Sequence, residues 1–206
     1  PNLNLLDRFL IMMEQKSVPV VLVFNKSDVA EHEKLVQLAK IYEDCGYQVL
    51  KVSALQEEGI SEIKEILKGK TSTVAGPSGV GKSSIINLLQ SDIHMETGNI
   101  SEKIERGRHT TRHSELIAIA EDTYIFDTPG FSSLYVTDME KEVLKTYFPE
   151  FAQYEDECKF LGCVHVNEPV CGVKEALKEG RISQSRYENY KLLYDELKES
   201  EKRKYS

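Results

Sequence analysis

The sequence has no long apolar run, and no stretch approaches the ~20 consecutive apolar residues that a helix needs to cross a bilayer. Its first residues, Pro1-Asn2-Leu3, also lack the basic segment and following apolar stretch of a secretory signal. These absences argue against a membrane-spanning helix and against a leader of that kind. We therefore expect a cytoplasmic protein without membrane contact.

An excess of basic residues is missing as well. The 206 residues include 26 lysines and arginines against 34 aspartates and glutamates, a formal net charge of −8. A protein that coats nucleic acid with its whole surface needs a basic face to neutralise phosphates, so that class is excluded, although a local basic patch stays open. Apolar residues make up 40% and charged residues 29%, which is typical of a globular chain with one core and a small appendage.

Cysteine is scarce, and the four residues of this type are unevenly distributed. Cys45 stands alone and is predicted to be a core residue. The other three surround a histidine, and the set consists of Cys158, Cys163, His165 and Cys171. Three thiolates and one imidazole complete a tetrahedral zinc site with no open position for catalysis, so we predict a structural ion. Disulfide pairing or inert thiols are the alternatives.

Short apolar stretches alternate with segments of helical periodicity along the chain. The pattern predicts strands at residues 19–24, 48–52, 71–75, 116–120 and 123–126, the last two as a hairpin. It predicts helices at residues 3–16, 61–68, 85–89, 173–178 and 183–202, and a further helix that begins after Asp28 and ends at about Cys45. A mobile loop is predicted at residues 91–114. This alternation implies an α/β fold with a mainly parallel sheet and helices on both faces. We predict two domains, residues 1–150 and 151–206.

A glycine-rich loop lies between a predicted strand and a predicted helix, the context that a phosphate-binding loop requires. It matches the pattern GxxxxGK[ST] and consists of Gly76, Pro77, Ser78, Gly79, Val80, Gly81, Lys82 and Ser83, with Ser84 following. Its backbone N–H groups can surround phosphate oxygens, Lys82 can reach the terminal phosphates, and the Ser83 hydroxyl can bind Mg²⁺. The alternative is a chance glycine turn before a helix.

A second polar motif follows the first predicted strand and consists of Asn25, Lys26, Ser27 and Asp28. The Asp28 carboxylate can accept hydrogen bonds from guanine N1–H and the 2-amino group, whereas adenine would leave it unpaired. The stem of Lys26 can lie along the base. Ser53-Ala54 after the next strand can add a backbone N–H for guanine O6. An isolated tetrad of this kind would be read as a turn, but beside a phosphate loop guanine recognition is favoured.

Further residues can complete a triphosphate site. Asp127 ends a predicted strand and can hold Mg²⁺ through water, while the Gly130 N–H can meet the γ-phosphate. Thr111, or alternatively Thr110, is the predicted switch threonine that binds Mg²⁺ in the GTP state. These threonines can instead satisfy only the loop backbone.

These elements resemble the signature of the translation-factor class of GTPases, except that base recognition precedes the phosphate loop. The order is that of a circular permutation, and it attaches the segment after Gly130 to the loop that senses the γ-phosphate. We therefore expect that segment to move with the nucleotide state.

The permuted order, the stretch Gly107-Arg108-His109-Thr110-Thr111, the stretch from Asp127 to Phe131 and the cysteine/histidine cluster resemble the ribosome small subunit-dependent GTPase A family. The resemblance implies a GTP-hydrolysing factor in late maturation of the small ribosomal subunit, with rRNA contacts and weak hydrolysis that the subunit stimulates. It also implies an amino-terminal OB-fold domain, for which this sequence has no counterpart. We also expect a monomer.

Phe131 occupies the position at which many GTPases carry a water-orienting glutamine, and a phenyl ring cannot orient water by hydrogen bonding. His109 is the predicted replacement, as the resemblance supports, although a loop histidine can equally contact backbone or RNA. The basic residues of the last helix form either a solvated face or an RNA contact. Two rival functions stay open, a GTP-gated binding module and a phosphotransferase with the same phosphate cradle.

Overall fold

A computed structural model describes residues 1–96, 115–128, 130–137 and 139–204. The helices are α1 (Leu3–Gln15), α2 (His32–Glu43), α3 (Ile60–Leu67), α4 (Lys82–Glu96), α5 (Gly172–Lys178) and α6 (Gln184–Lys204). The strands are β1 (Val21–Phe24), β2 (Gln48–Lys51), β3 (Thr71–Val74), β4 (Glu115–Ala120) and β5 (Thr123–Asp127). Two 3₁₀ helices lie between β5 and α5, the first at Leu144–Tyr147 and the second at Pro149–Glu157.

The described strands lie in two sheets, one formed by β1 and β2 and the other ordered β3-β5-β4. β3 runs parallel to β5, with Thr71 opposite Tyr124. β4 runs antiparallel to β5, which confirms the predicted hairpin. The α/β class with parallel pairing is therefore as the sequence predicted.

Two predicted boundaries differ from the structure. Helix α4 continues to Glu96, so the loop predicted from residue 91 is wrong for residues 91–96; the rest of that segment, from 97 to 114, lies outside the described residues. The two 3₁₀ helices were not predicted either. A 3₁₀ helix has three residues per turn, so it lacks the 3.6-residue periodicity on which the helix predictions were based.

The chain divides into two compact units that are each discontinuous in sequence. One comprises residues 1–22, 37–49 and 133–206, and the other comprises residues 23–36 and 50–132. A single boundary near residue 150 stays a prediction. Within the described residues, no helix combines the length and apolar character needed to span a membrane.

The core of the second unit forms where the hairpin packs against helices. Ile117, Ile119 and Ile125 are buried, whereas Tyr124 and Phe126 on the opposite face of β5 are partly exposed. This alternation follows from the two-residue period of a strand. The hairpin residues cluster with Ile86 and Leu89 of α4 and with buried isoleucines of α3.

The core of the first unit is aromatic. Phe148 and Phe151 stack with ring centroids 5.3 Å apart, and Tyr190 meets Phe151 edge-on at 5.0 Å. The apolar stripe of α6 is buried here, as its helical spacing predicted, and comprises Tyr187, Tyr190, Leu193, Tyr194 and Leu197. Cys45 is also buried, in agreement with its predicted core position.

A buried ion cluster lies beside these rings. Arg186 of α6 is only 1% exposed, and its guanidinium donates to both carboxylate oxygens of Glu150 at 2.8 and 3.1 Å and to Asp7 Oδ1 at 2.8 Å. It also lies 4.5 Å from the Phe148 ring centroid. Burial would lower the pKa of Arg186, but the charges of Glu150 and Asp7 outweigh this effect and raise it. The cation is therefore the counter-charge of two buried carboxylates.

Replacing Arg186 with methionine is expected to lower the free energy of unfolding by about 3–5 kcal/mol, because it leaves two buried carboxylates without a counter-charge. Urea unfolding at neutral pH measures the loss. Burial raises the pKa of Asp7 even with Arg186 present. A carboxyl whose folded pKa is raised above its unfolded value is stabilising at lower pH, so the deficit of the variant should shrink as the pH falls from about 7 to about 5.

The control is Lys178→Met, which removes an exposed cation paired with Glu175 and should leave stability nearly unchanged, because solvent screens such a pair. Equal losses for the two variants would contradict the assigned role of Arg186.

Candidate nucleotide site and metal centre

The predicted phosphate loop lies between the end of β3 and the start of α4, as its motif requires. Gly79 and Gly81 have φ angles of +78° and +97°, a region that favours glycine. The loop leads directly into α4, which begins at Lys82. At the amino terminus of a helix, free backbone N–H groups and the helix dipole favour an anion.

A cavity of about 540 Å³ opens beside this loop. Its lining combines residues from three of the predicted motifs, and these are Lys26, Ser78, Gly79, Gly81, Lys82, Ser83, Ser84, Asp127, Thr128 and Gly130. The cavity thus brings together the side chains predicted for phosphate and Mg²⁺ binding, Lys82, Ser83 and Asp127.

Lys82 is held against the loop by its own backbone. Its Nζ donates to the carbonyl oxygens of Gly76 and Pro77, both at 2.9 Å. An ammonium group has three donors, so one remains beyond these two bonds for an anion. The backbone of Gly130 lies close to this loop, since a Cβ at that position would lie 3.0 Å from Lys82 Nζ and 3.1 Å from Ser78 N.

Asn25 connects the base-recognition segment to the phosphate loop. Its Oδ1 accepts from the backbone N–H of Lys26 at 2.8 Å and of Ala54 at 3.0 Å, while its Nδ2 donates to the Val80 carbonyl at 3.0 Å. Gly81 leaves room for this amide, because a Cβ there would lie 2.2 Å from Asn25 Nδ2. The base-recognition segment, the Ser53-Ala54 segment and the phosphate loop are therefore joined through one side chain.

Two further bonds fix the base-recognition segment. Lys26 has a left-handed backbone with φ +69° and donates from Nζ to the Gly79 carbonyl at 3.0 Å. The exposed Asp28 accepts at Oδ1 from the hydroxyl of the buried Ser53 at 2.6 Å. This bond orients the carboxylate and leaves its other oxygen for a ligand.

The remaining predicted positions fall into two groups. Some support the site through backbone or neighbouring contacts outside the cavity lining: Asn25, Ser27, Asp28, Ser53, Ala54, Gly76, Pro77 and Val80. Others, His109, Thr110 and Thr111, lie outside the described residues. Sequence reasoning missed Thr128, whose hydroxyl donates to the Val74 carbonyl at 2.8 Å and whose place between Asp127 and Gly130 was the available signal.

The family model described as RsgA GTPase matches residues 1–137. The small ribosomal subunit biogenesis GTPase RsgA of Agathobacter rectalis is 64% identical over 202 residues, which cover 98% of this chain and 67% of that protein.

This chain belongs to the RsgA GTPase family.

Two solved structures agree with that assignment. YjeQ from Thermotoga maritima superposes with a TM-score of 0.78 at 40% identity, over 96% of this chain and 66% of that one. YloQ, described as a circularly permuted GTPase, superposes with a TM-score of 0.77 at 34% identity, over 97% of this chain and 64% of that one. The chain thus spans about two thirds of the length of these relatives, and the family and permuted fold predicted from the motifs are confirmed.

The predicted cysteine and histidine ligands form a cluster in the first unit. Their ligand atoms all lie within 4.8 Å of one another. Cys158 Sγ is 3.8 Å from Cys171 Sγ, and His165 Nδ1 is 3.6 Å from Cys158 Sγ and 3.3 Å from Cys171 Sγ. A tetrahedral ion with metal–sulfur bonds near 2.3 Å and metal–nitrogen bonds near 2.0 Å needs ligand separations of roughly 3.8 and 3.5 Å. These donors therefore fit a four-coordinate metal.

Burial keeps the side chains of the cluster neutral in the absence of a cation. Burial raises the pKa of Cys163 to about 12 and also raises that of Cys171, while burial lowers the pKa of His165. Without a cation the protein thus favours neutral thiols, and a bound metal ion would reverse this preference by stabilising thiolates.

Replacing Gly81 with alanine is expected to weaken GDP binding by about tenfold or more, since displacing the Asn25 amide breaks a hydrogen bond worth roughly 1–3 kcal/mol when left unmade. Gly69→Ala is the matched control, because Gly69 has a similar φ of +67° but open space around its Cβ position. That variant should lose roughly 1–3 kcal/mol of stability from backbone strain and keep its GDP affinity. Titration with fluorescent GDP measures the affinity of each variant. Equal GDP affinities of the Gly81→Ala and Gly69→Ala variants would contradict the role of Gly81.

Proposed function

We propose that this chain binds GTP with Mg²⁺, hydrolyses it to GDP and phosphate, and acts in the biogenesis of the small ribosomal subunit. The observation that carries the proposal is the cavity in which Lys26 of the base-recognition motif meets Lys82, Ser83, Asp127 and Gly130. Membership of a GTPase family supports the same activity.

The phosphate end of the site is assigned from its donors. Backbone N–H groups of the loop and the remaining Lys82 donor bind the β- and γ-phosphates. Ser83 binds Mg²⁺ directly, Asp127 binds it through water, and Thr111 completes the shell in the GTP state. The Gly130 N–H contacts the γ-phosphate, so the segment after it responds to hydrolysis.

The base end is assigned from the bonds around Asp28 and Asn25. The Ser53 hydroxyl holds Asp28 Oδ1, and the carboxylate accepts from guanine N1–H and the 2-amino group. Asn25 fixes the distance of this carboxylate from the phosphate loop through its bond to the Val80 carbonyl. The backbone N–H of Ala54 already donates to Asn25 Oδ1. Guanine O6 therefore either accepts a bifurcated hydrogen bond from this N–H or accepts from a neighbouring backbone N–H.

Hydrolysis by the isolated chain is expected to be slow. Phe131 offers no hydrogen-bonding group to water, and His109 is the proposed residue that orients the nucleophile. Turnover alone should be on the order of 10⁻⁴ to 10⁻² s⁻¹, the range of GTPases that await or partly lack an activating group. Relatives named as small ribosomal subunit biogenesis GTPases support that subunit as the partner. Its rRNA and its activation of hydrolysis are part of the proposal.

The metal centre is assigned to one Zn²⁺ ion. Three thiolates and a neutral imidazole are the ligands that structural zinc sites use, and four protein donors leave no position for a reacting water. The ion stabilises the fold and takes no part in hydrolysis.

Asp28→Ala is expected to abolish discrimination between GTP and inosine triphosphate, which lacks only the 2-amino group. The parent should prefer GTP by about tenfold or more, the cost of one unmade bond to a charged acceptor, and should bind ATP more weakly still. The control, Glu31→Ala, removes an exposed carboxylate paired with Lys34 and should keep the preference. Calorimetry decides, and equal affinities of the parent for GTP and ATP would refute guanine recognition.

Purified small ribosomal subunits are expected to raise GTP turnover, whereas large subunits should leave it near the basal rate. His109→Ala should reduce the stimulated rate by about 10²-fold or more with unchanged GTP affinity, the contribution of a positioned general base. Phosphate release measured with each particle tests both statements. Nucleotide-dependent binding to the small subunit without stimulated release would favour a GTP-gated binding module instead.

A further inference from the structure

The imidazole of His165 lies between two thiols and a carboxylate. Its Nδ1 faces Cys171 Sγ at 3.3 Å and Cys158 Sγ at 3.6 Å, and its Nε2 faces Glu155 Oε1 at 3.2 Å. We propose that Glu155 is the positioning residue of the metal centre and that it makes Nδ1 the atom that binds the ion. The proposal rests on the metal site assigned above.

The ring has little freedom to choose another arrangement. His165 is fully buried, and the Phe151 ring meets it edge-on with centroids 5.7 Å apart at 80°. A flipped imidazole would direct carbon atoms at the thiols and the carboxylate. The packing therefore holds the ring plane, and the choice that remains is which nitrogen carries the proton.

Glu155 makes that choice through its hydrogen-bonding capacity. A neutral imidazole has one N–H donor and one acceptor nitrogen, and an ionised carboxylate only accepts. A carboxylate at Nε2 thus selects the Nε2–H form and leaves the Nδ1 lone pair directed at the ion. Carboxylates that bond the second nitrogen of a ligating histidine orient the ring and raise its basicity as a ligand.

Glu155 is itself fixed from the opposite side. Lys145 belongs to the first 3₁₀ helix and Glu155 to the second. Lys145 Nζ lies 3.1 Å from each carboxylate oxygen of Glu155. The Lys145 side chain is 19% exposed, so solvent screens this pair only partly. Lys145, Glu155 and His165 form one hydrogen-bonded chain that ends at the metal position.

The loop backbone is held by different residues. The Tyr187 hydroxyl donates to the His165 carbonyl at 2.7 Å, and the Tyr190 hydroxyl donates to the Val164 carbonyl. The Glu168 carboxylate accepts from the N–H groups of Val164 and Val166 at 2.7 and 2.9 Å. Removing Glu155 therefore removes the acceptor at Nε2 without releasing the loop, which allows its role to be tested separately from folding.

The test compares Glu155→Ala, Glu155→Gln and the control Asp156→Ala, which removes the neighbouring exposed carboxylate. Zinc affinity is measured by competition with a chromophoric chelator. Glu155→Ala should bind zinc about 10- to 100-fold more weakly, the range found for lost partners of this kind. Glu155→Gln should stay within about threefold of the parent, because its amide oxygen still accepts from Nε2–H. Asp156→Ala should match the parent.

Nitrogen-15 NMR of the imidazole provides a readout that a merely structural role would not move. The zinc-loaded parent and Glu155→Gln should show a protonated Nε2 and a metal-bound Nδ1, and Glu155→Ala should show loss of the protected Nε2–H signal. Parent-like affinity and NMR in Glu155→Ala would overturn the proposal, as would a Glu155→Gln variant as weak as Glu155→Ala. A parent that binds no zinc would instead refute the metal centre itself.

Discussion

The amide of Asn25 is the contact on which the candidate nucleotide site depends. Its oxygen accepts from the backbone of Lys26 and Ala54, and its nitrogen donates to the Val80 carbonyl. An amide offers its donor and its acceptor on separate atoms of one short side chain, whereas a carboxylate could not donate to Val80. The residue that opens the base-recognition motif is thus required by the protein's own loops, which hold the base end and the phosphate end in fixed register.

This dependence explains why the order of the motifs along the chain can change. The bonds around Asn25 join loops that follow β1, β2 and β3, and Gly130 reaches the phosphate loop from the end of β5. Each loop is positioned by the strand before it, and the bonds of Asn25 and the close approach of Gly130 join these loops in space whatever their order along the chain. A permuted chain therefore keeps the same pocket, provided that the strands pair as before.

Sequence reasoning succeeded where the determinants are local. Polar motifs directly after apolar strands predicted the loops, and alternation predicted the hairpin of β4 and β5. The ion cluster was beyond its reach, because Arg186 pairs with Glu150 and with Asp7, which lie 36 and 179 positions away. Glu155 was not predicted either. An acidic residue among acidic neighbours gives no sequence signal, and its role is visible only when the fold places it beside His165.

The second 3₁₀ helix connects the three features that stabilise the first unit. Glu150 pairs with Arg186, Phe151 packs in the aromatic core, and Glu155 bonds His165. With about three residues per turn, positions five apart point in directions roughly 120° apart, so the two carboxylates reach different sides of the helix. Such helices rarely extend beyond 3–4 residues, yet this one has nine. The pairing of Glu150, the packing of Phe151 and the contact of Glu155 with His165 therefore add to its own hydrogen bonds in holding it in place.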